Sequence, residues 1–174
     1  VEAHPLDEVQ MAFVHEQFPE LELHATALRA MLPPRWPGQH VVALLGGRLS
    51  LHLLYGAADT VLPGCDFRAD CWFLDGFSPA KNPDLWSPAI LRQIGRLTAG
   101  NGTISSFTAA TAVRDGLTEA GFTIEKRRGF GRKREMIVGR KDSHAGCESN
   151  SRPSFVRVGV IGGGIAGASV AAGL

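Results

Sequence analysis

Four apolar residues, Cys71-Trp72-Phe73-Leu74, run straight into Asp75-Gly76, and this junction constrains the fold more than any other stretch of the chain. A short apolar run closed by a turn signal is how a parallel strand, buried on both faces, reaches the carboxyl edge of an α/β sheet. Open α/β folds bind their ligands at that edge. The loop that follows carries Phe77, Pro79, Lys81, Asn82, Pro83 and Trp86, a stiff aromatic segment with two polar members. A carboxylate at a strand tip beside such a loop suits an amine or a flat base. Asp75 is the candidate catalytic residue, and Phe77, Pro79, Lys81, Asn82 and Trp86 are candidate substrate contacts. An isolated Asp-Gly would be read as a plain turn and the aromatics as core; their density here favours a site.

With 174 residues, 44% hydrophobic and 20% charged, the chain can bury one good core. Its net charge of +1 leaves any nucleic-acid binding to a local basic patch. Three cysteines, Cys65, Cys71 and Cys147, have neither CxxC spacing nor an even count. That argues against a zinc site or a disulfide framework and suits a reducing cytoplasm. No apolar run approaches the ~20 residues that span a bilayer, so no membrane partner is expected, nor any metal. The chain opens without Met and stops inside an apolar run. The expectation is a monomeric piece of a longer protein.

Val1-Glu2 reads as the tail of a strand ending on an acid, followed by helices over about Asp7 to Phe18 and Glu20 to Met31. In nucleotide-binding α/β folds an acid at the end of the second strand takes ribose hydroxyls, so Glu2 is either such a ligand or a solvated terminal glutamate. Pro33, Pro34, Pro37 and Gly38 break the second helix, and Trp36 is expected to cap the core beneath that break. His40 to Leu45 and Leu49 to Leu54 form a hairpin around Gly46-Gly47-Arg48, with His52 on a solvated face. Gly56-Ala57-Ala58-Asp59 then turns into a helix, where Asp59 either caps it or touches an adenine ring.

Ser87-Pro88 opens a helix whose apolar positions Ile90, Leu91, Ile94 and Leu97 recur at helical spacing, and Gly100-Asn101-Gly102 follows it. Thr103 to Phe107 is the next strand, Thr108 to Ala120 a helix, and Phe122 to Arg128 and Glu135 to Gly139 an antiparallel pair. Strand, helix, strand, helix and an antiparallel edge hairpin is the ending of an α/β, class I (Rossmann-like) methyltransferase sheet. The hairpin gathers Lys126, Arg127, Arg128, Arg132, Lys133 and Arg134 around Phe130. Cations beside an aromatic form a phosphate footprint with a stacking partner, or else a charged edge that resists aggregation. Lys141 to Pro153 reads as a linker. Phe155 to Ile161 is a strand leading into Gly162-Gly163-Gly164-Ile165-Ala166-Gly167, a G-x-G-x-x-G in strand-to-helix context. There Gly162, Gly164 and Gly167 would let the backbone approach a pyrophosphate.

Taken together, Phe73-Leu-Asp-Gly-Phe-Ser-Pro-Ala-Lys-Asn-Pro-Asp-Leu-Trp86, Phe107-Thr-Ala-Ala110, Gly129-Phe-Gly-Arg-Lys-Arg-Glu-Met136 and Val160-Ile-Gly-Gly-Gly-Ile-Ala-Gly167 closely resemble the MnmC family, the bifunctional tRNA 5-methylaminomethyl-2-thiouridine biosynthesis proteins. The resemblance covers nearly the whole chain. It implies an S-adenosylmethionine-dependent methyltransferase domain over residues 1–140, lacking its first strand and glycine loop. A linker over 141–154 and the first βα unit of an FAD-binding Rossmann domain over 155–174 would follow. It further implies that the oxidoreductase removes the carboxymethyl group from the wobble uridine of tRNA, that the methyltransferase methylates the exposed amine, and that the anticodon region is the partner. Glu2 falls where the family's ribose-binding acid lies, and Asp75 where its catalytic acid lies. Where the family usually has Gly-Asp-Ala, this chain has Gly56-Ala57-Ala58, with Asp59 two residues beyond the missing acid. The alternatives are an FAD or NAD oxidoreductase, or a non-catalytic RNA-binding remnant. Without the glycine loop, the 174 residues alone are expected to transfer little methyl.

Overall fold

Asp7 starts the first helix, α1 (Glu8–His15): its carboxylate accepts the Gln10 N–H, and the Gln10 side chain accepts the Asp7 N–H. This reciprocal pair satisfies donors that a helix start otherwise leaves orphaned. The computed structural model describes residues 1–129, 134–142 and 155–161, with Val1–Val61 forming one unit and Leu62–Ile161 another. In the first unit α1 ends three residues short of Phe18, as Gln17 and Phe18 bond to Val14 and His15 in tighter i→i−3 turns. A 3₁₀ turn at Pro19–Leu21 leads to α2 (Glu22–Arg29), which packs against α1. Strands β1 (Gly38–Leu44) and β2 (Leu49–Tyr55) form the expected antiparallel hairpin, and His52 is exposed on it. The short helix α3 (Ala58–Val61) follows. Trp36 does not cap a core: it is 72% exposed, held between prolines in the extended segment before β1.

His15 joins α1 to α2, buried, with Nδ1 3.1 Å from Arg29 Nη1. Guanidinium only donates, so this nitrogen is the acceptor of a neutral imidazole. Burial first, and then the Arg29 charge, hold the His15 pKa below its ordinary 6.5, with Glu22 opposing them. Such a group takes its proton first in the unfolded chain. Its contribution is therefore complete above about pH 6.5 and is lost as pH falls from there through the folded value. Urea titrations followed by helical circular dichroism should show stability falling over that window in the wild type and a flatter profile in His15→Gln.

The second unit is built on a five-stranded sheet in the order β5-β6-β4-β3-β7, from β3 (Ala69–Leu74), β4 (Thr98–Ser106), β5 (Phe122–Arg128), β6 (Glu135–Lys141) and β7 (Val158–Ile161). β3 runs parallel to both β4 and β7, while β6 is antiparallel to both β4 and β5. Side chains paired across the ladders share a face, so Trp72, Leu74, Ile104, Ser106, Phe122, Ile137 and Ile161 line one side, and all are buried. The amphipathic helix α4 (Pro88–Arg96) and α5 (Thr111–Glu119) contribute Ile90, Leu91, Ile94, Val113 and Leu117 to that core. On the other side Cys71, Phe73, Ser105, Val138, Val158 and Val160 are half-buried.

One sequence expectation changes here. Gly100-Asn101-Gly102 is not a helix-ending turn: β4 already begins at Thr98 and absorbs these residues as an irregularity, with Asn101 at φ 64° and the β3 register shifting between Ala69 and Cys71. Asn tolerates that left-handed conformation, which lets the strand resume. The apolar strand ending at Ile161, expected to open a second domain, lies beside β3 in this sheet.

Candidate functional site

β3 delivers Asp75 to the carboxyl edge between two parallel neighbours. The Asp75 N–H donates to Ile161 O on β7 at 3.0 Å, and on the other side Ser106 Oγ donates to Leu74 O at 3.0 Å. Ser106 Oγ also accepts the Thr108 N–H at 3.3 Å. Both Ser106 and Thr108 are buried. These two small polar residues were not singled out from the sequence, although hydroxyls closing an apolar strand were the available signal. They brace the strand tip by satisfying backbone groups that a buried sheet end would strand.

Gly76 turns the chain at φ 132°, and a Cβ there would come within 2.6 Å of Leu85 Cδ2. Only glycine holds this conformation at that distance without strain. Beyond it, Lys81 and Asn82 N–H groups both donate to Ser78 O, at 2.8 and 3.0 Å, and Asn82 Oδ1 accepts the Leu85 N–H at 3.4 Å. Asn82 thus holds the loop together. Trp86 is buried at 7% exposure, its indole N–H donates to Phe77 O at 2.8 Å, and its ring meets Phe107 edge-on with centroids 6.1 Å apart. The expectation that Trp86 contacts substrate therefore changes: it is the post under the loop. Phe77, 70% exposed, and Lys81, also exposed, are the members turned to solvent, and Pro79 is half-buried. The cavity beneath Asp75, lined by Leu74, Leu85, Trp86, Leu91, Ile94 and Ile161, has a volume of about 10 Å³. That is room for at most one water, so this cavity admits neither a base nor a cofactor.

In the first unit Glu2 pairs with the end of β2: its N–H donates to Leu54 O and its carbonyl accepts the Gly56 N–H, both at 2.9 Å. Its carboxylate accepts the His4 N–H at 2.7 Å. An acid is thereby fixed beside a strand end. Asp59 lies in the first turn of α3 and is exposed, accepting the Thr60 hydroxyl at 3.2 Å. It does not cap the helix, because Ala57 O accepts the Thr60 and Val61 N–H groups from the capping position.

On the β5–β6 hairpin, part of the basic cluster is neutralised: Lys126 pairs with Glu135 and Arg127 with Glu125, each at 3.0 Å. Arg128 and Arg134 have no ion pair among the described residues. Arg132 and Lys133 lie outside the described residues, as do Phe130 and the fingerprint glycines Gly162, Gly164 and Gly167. Among the described residues no group of three His, Cys, Asp or Glu is placed to hold a metal, and no helix is long and apolar enough to cross a membrane.

Residues 19–142 match the family model described as S-adenosyl-L-methionine-dependent methyltransferase. The chain is similar to the tRNA 5-methylaminomethyl-2-thiouridine biosynthesis bifunctional protein MnmC of Ralstonia nicotianae, with 45% identity over 98% of the chain and 27% of that protein. It is similar to the protein of the same name from Thiobacillus denitrificans, with 41% identity over 100% of the chain and 28% of that protein. It thus spans little more than a quarter of the curated relatives it matches. The crystal structure of MNMC2 from Aquifex aeolicus superposes with a TM-score of 0.56 at 34% identity, covering 70% of this chain and 37% of that one.

Proposed function

Because the chain belongs to the S-adenosyl-L-methionine-dependent methyltransferase family, matched over residues 19–142, we propose that it carries the later part of the methyltransferase domain of a bifunctional tRNA-modifying enzyme. The reaction is N-methylation of the aminomethyl group on the wobble uridine, in the anticodon region of a cytoplasmic tRNA. It follows removal of a carboxymethyl group by an FAD-dependent oxidoreductase domain whose glycine fingerprint begins at Gly162. The observation that carries this reading is the pairing of Asp75, at a braced strand tip, with the exposed ring of Phe77. It is supported by relatives whose names state that biosynthesis.

S-adenosylmethionine, when bound, supplies an electrophilic methyl on a sulfonium. Glu2 is the residue suited to hold its ribose, as an acceptor for paired hydroxyls, with Asp59, three residues beyond the Gly56 whose N–H the Glu2 carbonyl accepts, suited to meet the adenine. The attacking amine must be neutral, since an alkylammonium has no lone pair. Asp75 accepts a hydrogen bond from that amine, sets its direction and takes or relays its proton. Phe77 offers a face on which an unstacked base can lie, and Lys81 neutralises a neighbouring phosphate. Calorimetric titration with S-adenosylmethionine tests the reading: a full-length enzyme that gives no binding heat would leave only an RNA-binding module.

The hairpin supplies the tRNA footprint. In the full-length protein, changing Arg132, Lys133 and Arg134 together to Ala should weaken tRNA binding and reduce its salt dependence, by about 0.7 in the log–log slope for each lost single-strand phosphate contact. An unchanged slope would make these residues a charged edge and no more.

A further inference from the structure

β4 leaves the sheet at Ser106, the residue paired with Leu74, and runs through Phe107-Thr108-Ala109-Ala110 into α5. This loop and the 76–86 loop share one post: the Trp86 ring meets Phe107 edge-on at 6.1 Å, and its indole N–H donates to Phe77 O at 2.8 Å. Hydroxyls fix the second loop from within, Ser106 Oγ accepting the Thr108 N–H at 3.3 Å and Thr108 Oγ1 the Ala110 N–H at 3.4 Å. Arg114, half-buried on α5, closes it. Its Nε donates to Ala109 O at 3.3 Å and its Nη2 to the Thr111 hydroxyl at 3.1 Å, while Nη1 has no partner among the described residues. No carboxylate pairs with it among those residues either. A cation in the first turn of a helix is opposed by the helix dipole, so the charge itself does not stabilise α5.

We propose that Arg114 binds a backbone phosphate flanking the uridine to be methylated, as a substrate-binding residue of the site at Asp75. This role rests on tRNA being the substrate. Leu74 and Ser106 are partners in the parallel ladder, so Phe107 follows Ser106 as Asp75 follows Leu74, and Ala109 lies two residues further on. One strand spacing, two residues of chain and the bond from Ala109 O put the guanidinium less than about 20 Å from the Asp75 backbone. An amine, its base, the ribose and a phosphate laid end to end bridge such a gap. A uridine taken out of the stack reaches a pocket by rotation about its own backbone, so the phosphates beside it must be held for the amine to stay in line. A guanidinium already fixed through Nε and Nη2 offers its remaining donors to a phosphate with little further loss of freedom. Lysine would bring the charge without the planar fork.

The test is a binding cycle with the full-length protein and an anticodon stem-loop carrying the aminomethyl uridine, in which the phosphate 5′ or 3′ of that uridine is replaced by a neutral methylphosphonate. Arg114→Gln should weaken binding of the natural RNA about tenfold and lower the log–log salt slope by about 0.7. On one of the two neutralised RNAs the same substitution should change affinity less than about twofold, because the partner is already gone. A purely structural Arg114 would weaken all three RNAs equally, and that result overturns the proposal, as does an unchanged salt slope. Should Arg114→Gln lose the cooperative urea transition of the wild type, Arg114→Lys decides. It keeps the charge, so the salt slope should stay while affinity falls several-fold on the natural RNA and not on the neutralised one. An equal fall on both overturns the proposal. Wild-type protein that does not bind the stem-loop at all overturns the tRNA reading and this role with it, whereas binding that ignores both Arg114 substitutions overturns this role alone.

Discussion

Methyl transfer by the full-length enzyme is expected to fall about 10²–10⁴-fold in Asp75→Ala, with tRNA affinity nearly unchanged. The magnitude is what positioned general-base help commonly supplies. The separation of rate from affinity follows because phosphate contacts, not the reacting centre, carry most of the binding to a nucleic acid. Asp75 makes its backbone bond through the N–H, to Ile161 O, so truncating the side chain leaves the strand tip tied. Asp75→Asn is the sharper variant: it preserves size and one acceptor and removes the charge. A single-turnover rate for the Asn variant equal to wild type across neutral pH would reduce Asp75 to a turn residue.

Trp72→Ala should cost about 3–5 kcal/mol, as loss of a large buried aromatic does. Against the 5–15 kcal/mol typical of a folded domain, that brings the second unit close to unfolding. Trp72 is among the largest fully buried side chains, its ring centroid is 5.9 Å from that of Phe67, and its N–H reaches Thr98 Oγ1. The Thr98 hydroxyl donates onward to Ile94 O at 2.6 Å, linking β3 through β4 to the end of α4. Trp72→Phe keeps much of the volume and loses the hydrogen bond to Thr98, so about 1–2 kcal/mol is expected. Urea denaturation distinguishes the two; a cost below about 1 kcal/mol for the Ala variant would mean that the surroundings collapse into the space.

The strand ending at Asp75 was legible because its signal is local: four apolar residues and a turn dipeptide describe both the burial and the end. The antiparallel β5–β6 pair was legible too, since the connection between Arg128 and Glu135 is too short for a crossover helix. β4 was misjudged at its start because Gly100-Asn101-Gly102 has the composition of a turn. What keeps it in the sheet is pairing with β3, a contact remote in sequence. The place of β7 was hidden for the same reason: its pattern announces a buried parallel strand and says nothing of which neighbour it takes. At the site, aromatic residues close in sequence are alike in composition, and only the fold separates Phe77, facing out, from Trp86, facing in.

The strand order places β6 between β5 and β4, although β6 is the last of the three along the chain. During synthesis, then, β3 and β4 can pair as soon as they emerge, whereas β5 has no partner until Glu135–Lys141 has left the ribosome. At 5–20 residues per second that wait is on the order of a second, long enough for an unpaired strand to meet another nascent chain. Lys126, Arg127 and Arg128 crowd the end of β5, and like charges on a waiting edge repel a second copy of the same edge. These cations, which precede Arg132, Lys133 and Arg134 in the hairpin, would thus keep β5 solitary until its own neighbour is made.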